Sequence, residues 1–315
     1  MGLTLDLARM LLSSRHHGDT PSPTCFRRVL TIGRQQLYLR PNDLDRLESE
    51  FDIGGAFNGF RTEWGEFCEP FLRQILDCES IDSIDHSDFE AATILHDLNQ
   101  PVPAELHEQY DLVLDGGTLE HIFHLPTAIS NYINMLAVGG TLVLGTNANN
   151  HCGHGFYQFS PELFFRVFSE LNGFEKPTVV LVQHPFPGGE LSSHTRCMVV
   201  TDPDELRQRV GLVNDQPTMI MVKARRSKRV EPFSSPIFQS DYQRQWSSHE
   251  LHSTMQAATP PAPQGFVGHC RRFVGNTSRS IQSRLPTSLK RQINGRKQLK
   301  AYSFGNRKFY HRWIP

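Results

Sequence analysis

Two imidazoles stand where a short apolar run gives way to polar residues. His121 follows Leu112-Val113-Leu114 and Asp115-Gly116-Gly117, and His154 lies in Asn147–Phe159 after a second apolar run. An imidazole within reach of a hydroxyl can take its proton, which makes His121 and His154 the candidate general bases. Tyr157 and Gln158 close the same polar stretch and are suited to hydrogen-bonding a substrate. His151, Cys152 and His154 invite a metal reading, but no fourth ligand has recognisable spacing, so no metal is expected. Two carboxylates end apolar runs further upstream, Asp85 after Ser80–Ile84 and Asp97 within Ala92–Asn99. A carboxylate can accept from two neighbouring donors at once.

The segment Tyr110–Thr146 has to position these groups. Leu112–Leu114 reads as a buried strand; Leu125, Ile129, Tyr132, Ile133 and Leu136 recur at helical spacing with Pro126 near the start; Gly139-Gly140 is the expected stop; Thr141–Leu144 is the next strand. Strand, crossover helix and strand make a right-handed unit of a parallel sheet. Ligands of such sheets meet the carboxyl ends of the strands, here Asp115–His121 and Thr146–Tyr157.

The combination of Tyr110-Asp111-Leu112-Val113, Leu119-Glu120-His121 and Gly139-Gly140-Thr141-Leu142-Val143-Leu144 resembles the fourth and fifth strands of class I S-adenosylmethionine-dependent methyltransferases. The fold this implies is α/β, a Rossmann-like doubly wound, mostly parallel seven-stranded sheet ending in an antiparallel hairpin. The implied cofactor is S-adenosylmethionine, and the implied activity is methyl transfer. On this resemblance Asp85 accepts both ribose hydroxyls, Asp97 accepts from the adenine amine, and Leu98 packs beside the ring. Asp115 and Gly116 border the site, and Tyr157 and Gln158 meet the acceptor. The first strand, Arg28–Ile32, leads into Gly33-Arg34-Gln35, the turn that faces the methionine part of the cofactor in the family. The family has an acid and several glycines there; this chain has one glycine and no acid. A small molecule or glycan is the expected acceptor, since no Asn-Pro-Pro-Tyr-like motif of base methylation is present. The alternative is a catalytically inactive methyltransferase-like scaffold acting through its carboxyl-terminal region.

Composition separates that region from the rest. From Lys223 onward 18 Lys or Arg face three acids, whereas residues 1–222 carry 14 basic and 30 acidic side chains. The basic part is expected to meet the protein's own acidic domain, nucleic acid or an anionic membrane. The expected organisation is an amino-terminal helix and linker (1–24), a methyltransferase-like domain (25–224), a Ser/Pro/Gln-rich linker (225–265), and a basic amphipathic region (266–315) that is partly irregular. Six scattered cysteines and no signal-peptide pattern point to a reducing cytoplasm.

Overall fold

The computed structural model describes residues 2–15, 24–186, 189, 191–192, 194–246 and 295–315. Its strands are β1 (Gly2–Thr4), β2 (Arg28–Ile32), β3 (Gln36–Tyr38), β4 (Ser80–Asp85), β5 (Ile94–Leu95), β6 (Tyr110–Asp115), β7 (Leu136–Asn149), β8 (Thr178–Gln183), β9 (Arg196–Val200), β10 (Thr218–Arg225) and β11 (Tyr310–Arg312). Its α-helices are α1 (Leu5–Ser13), α2 (Pro41–Phe51), α3 (Glu69–Leu76), α4 (Leu125–Met135), α5 (Pro161–Val167) and α6 (Pro203–Leu206).

Nine strands form one sheet in the order β11-β9-β8-β10-β7-β6-β2-β4-β5. The run β7-β6-β2-β4-β5 is parallel throughout, and its order reverses between β2 and β6, as in a doubly wound sheet. From β7 outward every pairing is antiparallel: β7 with β10, β10 with β8, β8 with β9, and β9 with β11. The doubly wound α/β architecture expected from the sequence is therefore present. The sheet is mixed and nine-stranded rather than mostly parallel and seven-stranded, because β9 and β11 extend the antiparallel side.

Both faces of the central strands are covered, which explains their unbroken apolar runs. On β6, Val113 joins a core with α4 and α5, whereas Leu112 and Leu114 join the opposite core with α1, α2 and α3. On β7 the alternation is Leu142 and Leu144 to the first face and Val143 to the second. Leu7 of α1 packs on Gly145, where a methyl group would lie 3.4 Å from its Cδ1.

α4 ends at Met135, four residues before the expected glycine stop. The guanidinium of buried Arg226 donates from Nη1 to the carbonyls of Ile133 and Leu136, ending the helix in place of glycine. The break expected at residue 224 falls inside β10, and described residues beyond it pack on the domain. Phe233 N–H donates to Asn172 Oδ1, and Ser240 N–H to Glu162 Oε1. At the far end Phe304, Phe309 and Tyr310 enter one core and Trp313 the other. Residues 247–265 of the expected linker and most of the amphipathic helices expected between Phe266 and Leu299 lie outside the described residues, whereas residues 295–301 are helical. Among the described residues no helix is long and apolar enough to cross a membrane.

The amino-terminal segment does more than pack as a helix. β1 pairs in parallel with β3, an element not foreseen from its polar sequence. This brings the Gly2 backbone to the carboxyl end of the large sheet, 3.0 Å from where a Gly116 side chain would begin.

Candidate functional site

Asp85, Asp97, Leu98 and His121 line one cavity of about 310 Å³ with Ile84, Thr118 and Ile122. It lies at the carboxyl ends of the parallel strands, beside the point where strand order reverses. β4 delivers Asp85, whose Oδ1 accepts from the Ser87 N–H at 3.3 Å. Its Oδ2 lies 3.7 Å from where a Gly33 Cβ would stand, so Gly33 borders the cavity's mouth. Asp97 Oδ1 accepts from the backbone N–H and side-chain amide of Asn99, at 2.9 and 2.8 Å. Those hydrogen bonds, the backbone one foremost, hold its carboxyl below the usual carboxylate range. The ionised form is thus fixed with Oδ1 engaged.

The loop carrying Asp97 and Leu98 hangs on one buried side chain of α4. Asn131 Oδ1 accepts from Val102 N–H at 2.9 Å, and its Nδ2 donates to the Leu98 and Gln100 carbonyls at 3.2 and 2.8 Å. β5 is only two residues long, so the sheet alone does little to fix this loop.

Several expected site residues have other partners. Asp115 is fully buried; its carboxylate accepts from the N–H groups of Gly117, Thr118 and Leu119 and from the Tyr132 hydroxyl. Burial pushes this carboxyl up, and the donated bonds oppose the shift. The group orders the turn after β6 and presents no face to the cavity. Arg34 likewise turns away, with Nε 2.6 Å from Glu69 Oε1 and its guanidinium over the Phe67 ring. Gln158 lines a separate cavity of about 260 Å³ with Asn149 and Leu212, and its Oε1 accepts from His151 N–H. Tyr157 donates to the Phe123 carbonyl at 2.6 Å.

Gln35 occupies the crevice between the ends of β2 and β6. Its Nε2 donates to the Ile32 carbonyl, while Oε1 sits against the Gly116 α-carbon, where no Cβ would fit. This oxygen is buried without a hydrogen-bond donor, a condition that costs about 1–3 kcal/mol. Thr118 Oγ1 spans the same crevice by donating to the Ile32 carbonyl at 2.8 Å.

On the other side of His121, sequence reading overlooked Glu120. It is completely buried; Oε2 accepts from Thr146 Oγ1 at 2.7 Å and Oε1 has no hydrogen-bond donor. Burial, reinforced by the Asp115 carboxylate, pushes its carboxyl up to about 7, against the Thr146 hydroxyl. The loop after β7 is pinned over this residue. Phe156 N–H donates to the Glu120 carbonyl at 2.7 Å, and Gly155, at φ +73°, rests where a Cβ would come 2.9 Å from Glu120 Cγ. That contact sets His154 beside His121, with ring centroids 5.1 Å apart. Burial first, and His154 second, hold His121 below the usual imidazolium range, so it is neutral at pH 7. The signal in the sequence was an acid directly before His121, in a stretch otherwise apolar or small.

No protein-family model and no curated protein matches the chain. Similar solved structures include a SAM-dependent methyltransferase from Thermotoga maritima, described as a possible histamine N-methyltransferase. It is 14% identical over 70% of this chain and 87% of that chain, with a TM-score of 0.34. The N-methyltransferase NodS from Bradyrhizobium japonicum, in complex with S-adenosyl-L-homocysteine, is 17% identical over 70% of this chain and 84% of that one, at a TM-score of 0.33. The 1,6-didemethyltoxoflavin-N1-methyltransferase from Burkholderia thailandensis is 10% identical, covering 64% and 71%, at 0.31.

Proposed function

We propose that this protein binds S-adenosylmethionine and transfers its methyl group to a small-molecule or glycan acceptor. The observation that carries the reading is the convergence of Asp85, Asp97, Leu98 and His121 on one cavity at the reversal point of a doubly wound sheet. The residues fit the nucleoside end of that cofactor. Asp85 offers a carboxylate to two ribose hydroxyls, Asp97 keeps Oδ2 for an amine, and Leu98 and Ile122 supply apolar surface for a base.

At the amino-acid end the fit runs through Gln35. Its orphaned Oε1 is an acceptor that an ammonium group would satisfy, once the side chain swings out of the crevice it fills. When bound, the cofactor supplies a methyl group already activated by a positive sulfur. The protein's part is then to hold the reactants close and aligned, which provides much of the rate of a bimolecular displacement. Neutral His121 and the adjacent His154 are the groups to which an acceptor hydroxyl passes its proton. Exposed Phe123 and Phe156, in edge-to-face contact beside them, offer an apolar rim for the acceptor.

The filled crevice also favours a second reading, a catalytically inactive methyltransferase-like scaffold that does not bind the cofactor. Calorimetry with S-adenosylhomocysteine tests the first reading. Wild-type protein is expected to bind, and Asp85→Ala to lose about 1.5–3 kcal/mol per charged hydrogen bond with its melting temperature unchanged. Absence of heat from folded wild-type protein at high ligand concentration would leave only the scaffold. Labelled cofactor with cell extract would then identify the acceptor.

A further inference from the structure

Glu120, His121 and His154 each offer one ligand atom, and these atoms all lie within 4.8 Å of one another. Glu120 Oε1 and His154 Nε2 are 3.8 Å apart. We propose that the three side chains form a binding site for one divalent transition-metal ion of the zinc type.

Three observations support the site. First, the donor set of two imidazoles and one carboxylate is a recurrent one for metals that keep open positions, with zinc and ferrous iron as the usual occupants. Second, Glu120 is wholly buried with Oε1 lacking a donor, and among the described residues no Lys or Arg pairs with it. A cation within the cluster gives that oxygen the partner it lacks. Third, the scaffold around the cluster is already fixed. Thr146 orients the carboxylate through Oε2, leaving Oε1 for the ion, and such outer hydrogen bonds commonly hold metal ligands in place. Gly155 and the Phe156 N–H clamp the His154 loop onto Glu120.

Ligand atoms around a four-coordinate zinc stand about 3.4 Å apart, given bonds of about 2.1 Å. The cluster therefore needs to contract by little more than 1 Å. The earlier expectation of no metal rested on His151, Cys152 and His154, which lack a fourth partner by spacing. The ligands that meet in space come instead from two loops, 33 positions apart.

His121 also lines the Asp85 cavity, so a metal held by it sits at that cavity's edge. In the metal-loaded protein the two histidines are ligands rather than free bases. An acceptor oxygen on an open position would be acidified by the ion instead. This consequence rests on the methyl-transfer reading, whereas metal binding itself does not.

The test uses the full chain, stripped with a chelator and titrated with Zn²⁺ and Co²⁺ in the absence of S-adenosylmethionine. One equivalent should bind, and Co²⁺ should give visible bands of nitrogen and oxygen coordination. Glu120→Gln, which retains an acceptor for Thr146, and His154→Ala, at a partly exposed position, should each weaken binding by at least ~100-fold. No stoichiometric binding by folded wild-type protein overturns the proposal. So does affinity unchanged in both folded variants, or a near-ultraviolet thiolate-to-cobalt band placing the ion on a cysteine such as Cys152. Because cofactor is absent throughout, failure here leaves the methyl-transfer reading intact, and failure of S-adenosylhomocysteine to bind leaves the metal site intact.

Discussion

Replacing Asn131 with leucine removes the attachment of the loop that carries Asp97 and Leu98. The change keeps the number and branching of side-chain heavy atoms, but three backbone groups lose a partner: Val102 N–H and the carbonyls of Leu98 and Gln100. His96 Nε2 lies 3.2 Å from the Gln100 carbonyl and can retain that one. Two buried groups are then left unsatisfied at about 1–3 kcal/mol each, for a total of about 2–6 kcal/mol. With a shift of about 2–4 °C per kcal/mol for a domain of this size, the melting temperature should fall by about 4–24 °C. Urea titration would give the free energy directly. S-adenosylhomocysteine affinity should fall as well in the fraction that stays folded, since Leu98 and Asp97 lose their fixed position. A loss below about 1 kcal/mol, or a large loss of stability with unaltered ligand affinity, would refute the idea that Asn131 positions this side of the cavity.

Gln35→Met keeps the side-chain volume and removes both the orphaned oxygen and the bond to Ile32, so the ligand-free protein should gain up to about 2 kcal/mol. Because the ligand then has to displace a more stable side chain, S-adenosylhomocysteine affinity should fall; thermal melts with and without ligand read both effects, and tighter binding would sink the crevice-filling view. Deletion of residues 304–315 strips Phe304, Phe309 and Tyr310 from one core and Trp313 from the other, each worth about 1.5–3 kcal/mol of burial. A lower melting temperature with increased binding of an apolar dye is expected, and an unchanged one would mean that β11 adds nothing to the domain.

The central strands were legible because burial on both faces leaves its mark on every residue, as in Leu112-Val113-Leu114. β1 and β3 left no such mark: each is three residues long, and their pairing depends on Gly2 resting against the Gln36 backbone. Asp85 and Asp115 look alike in sequence, an acid ending an apolar strand. Only the location of donors separates them: the turn after β6 folds three N–H groups back onto Asp115, whereas Asp85 receives one N–H and keeps Oδ2 toward Gly33. Glu120 was hidden for a related reason, since the group that gives it meaning, His154, arrives from a different loop. The aromatic density at Phe309, Tyr310 and Trp313 did signal that the end of the chain is more than a solvated tail, although not that it adds a strand.

The pairing of β9 with β11 joins Val200 to Tyr310, 110 positions downstream. Such a contact closes a very long loop, and its entropy has to be lost before any of its hydrogen bonds form. During synthesis β8, β9 and β10 can assemble while the outer edge of β9 still has open N–H and C=O groups, a template for pairing with another chain. That edge stays unprotected until Arg312 has left the ribosome. Closure of that edge is therefore a late, long-range step of folding, and β pairing over so long a loop is intrinsically slow.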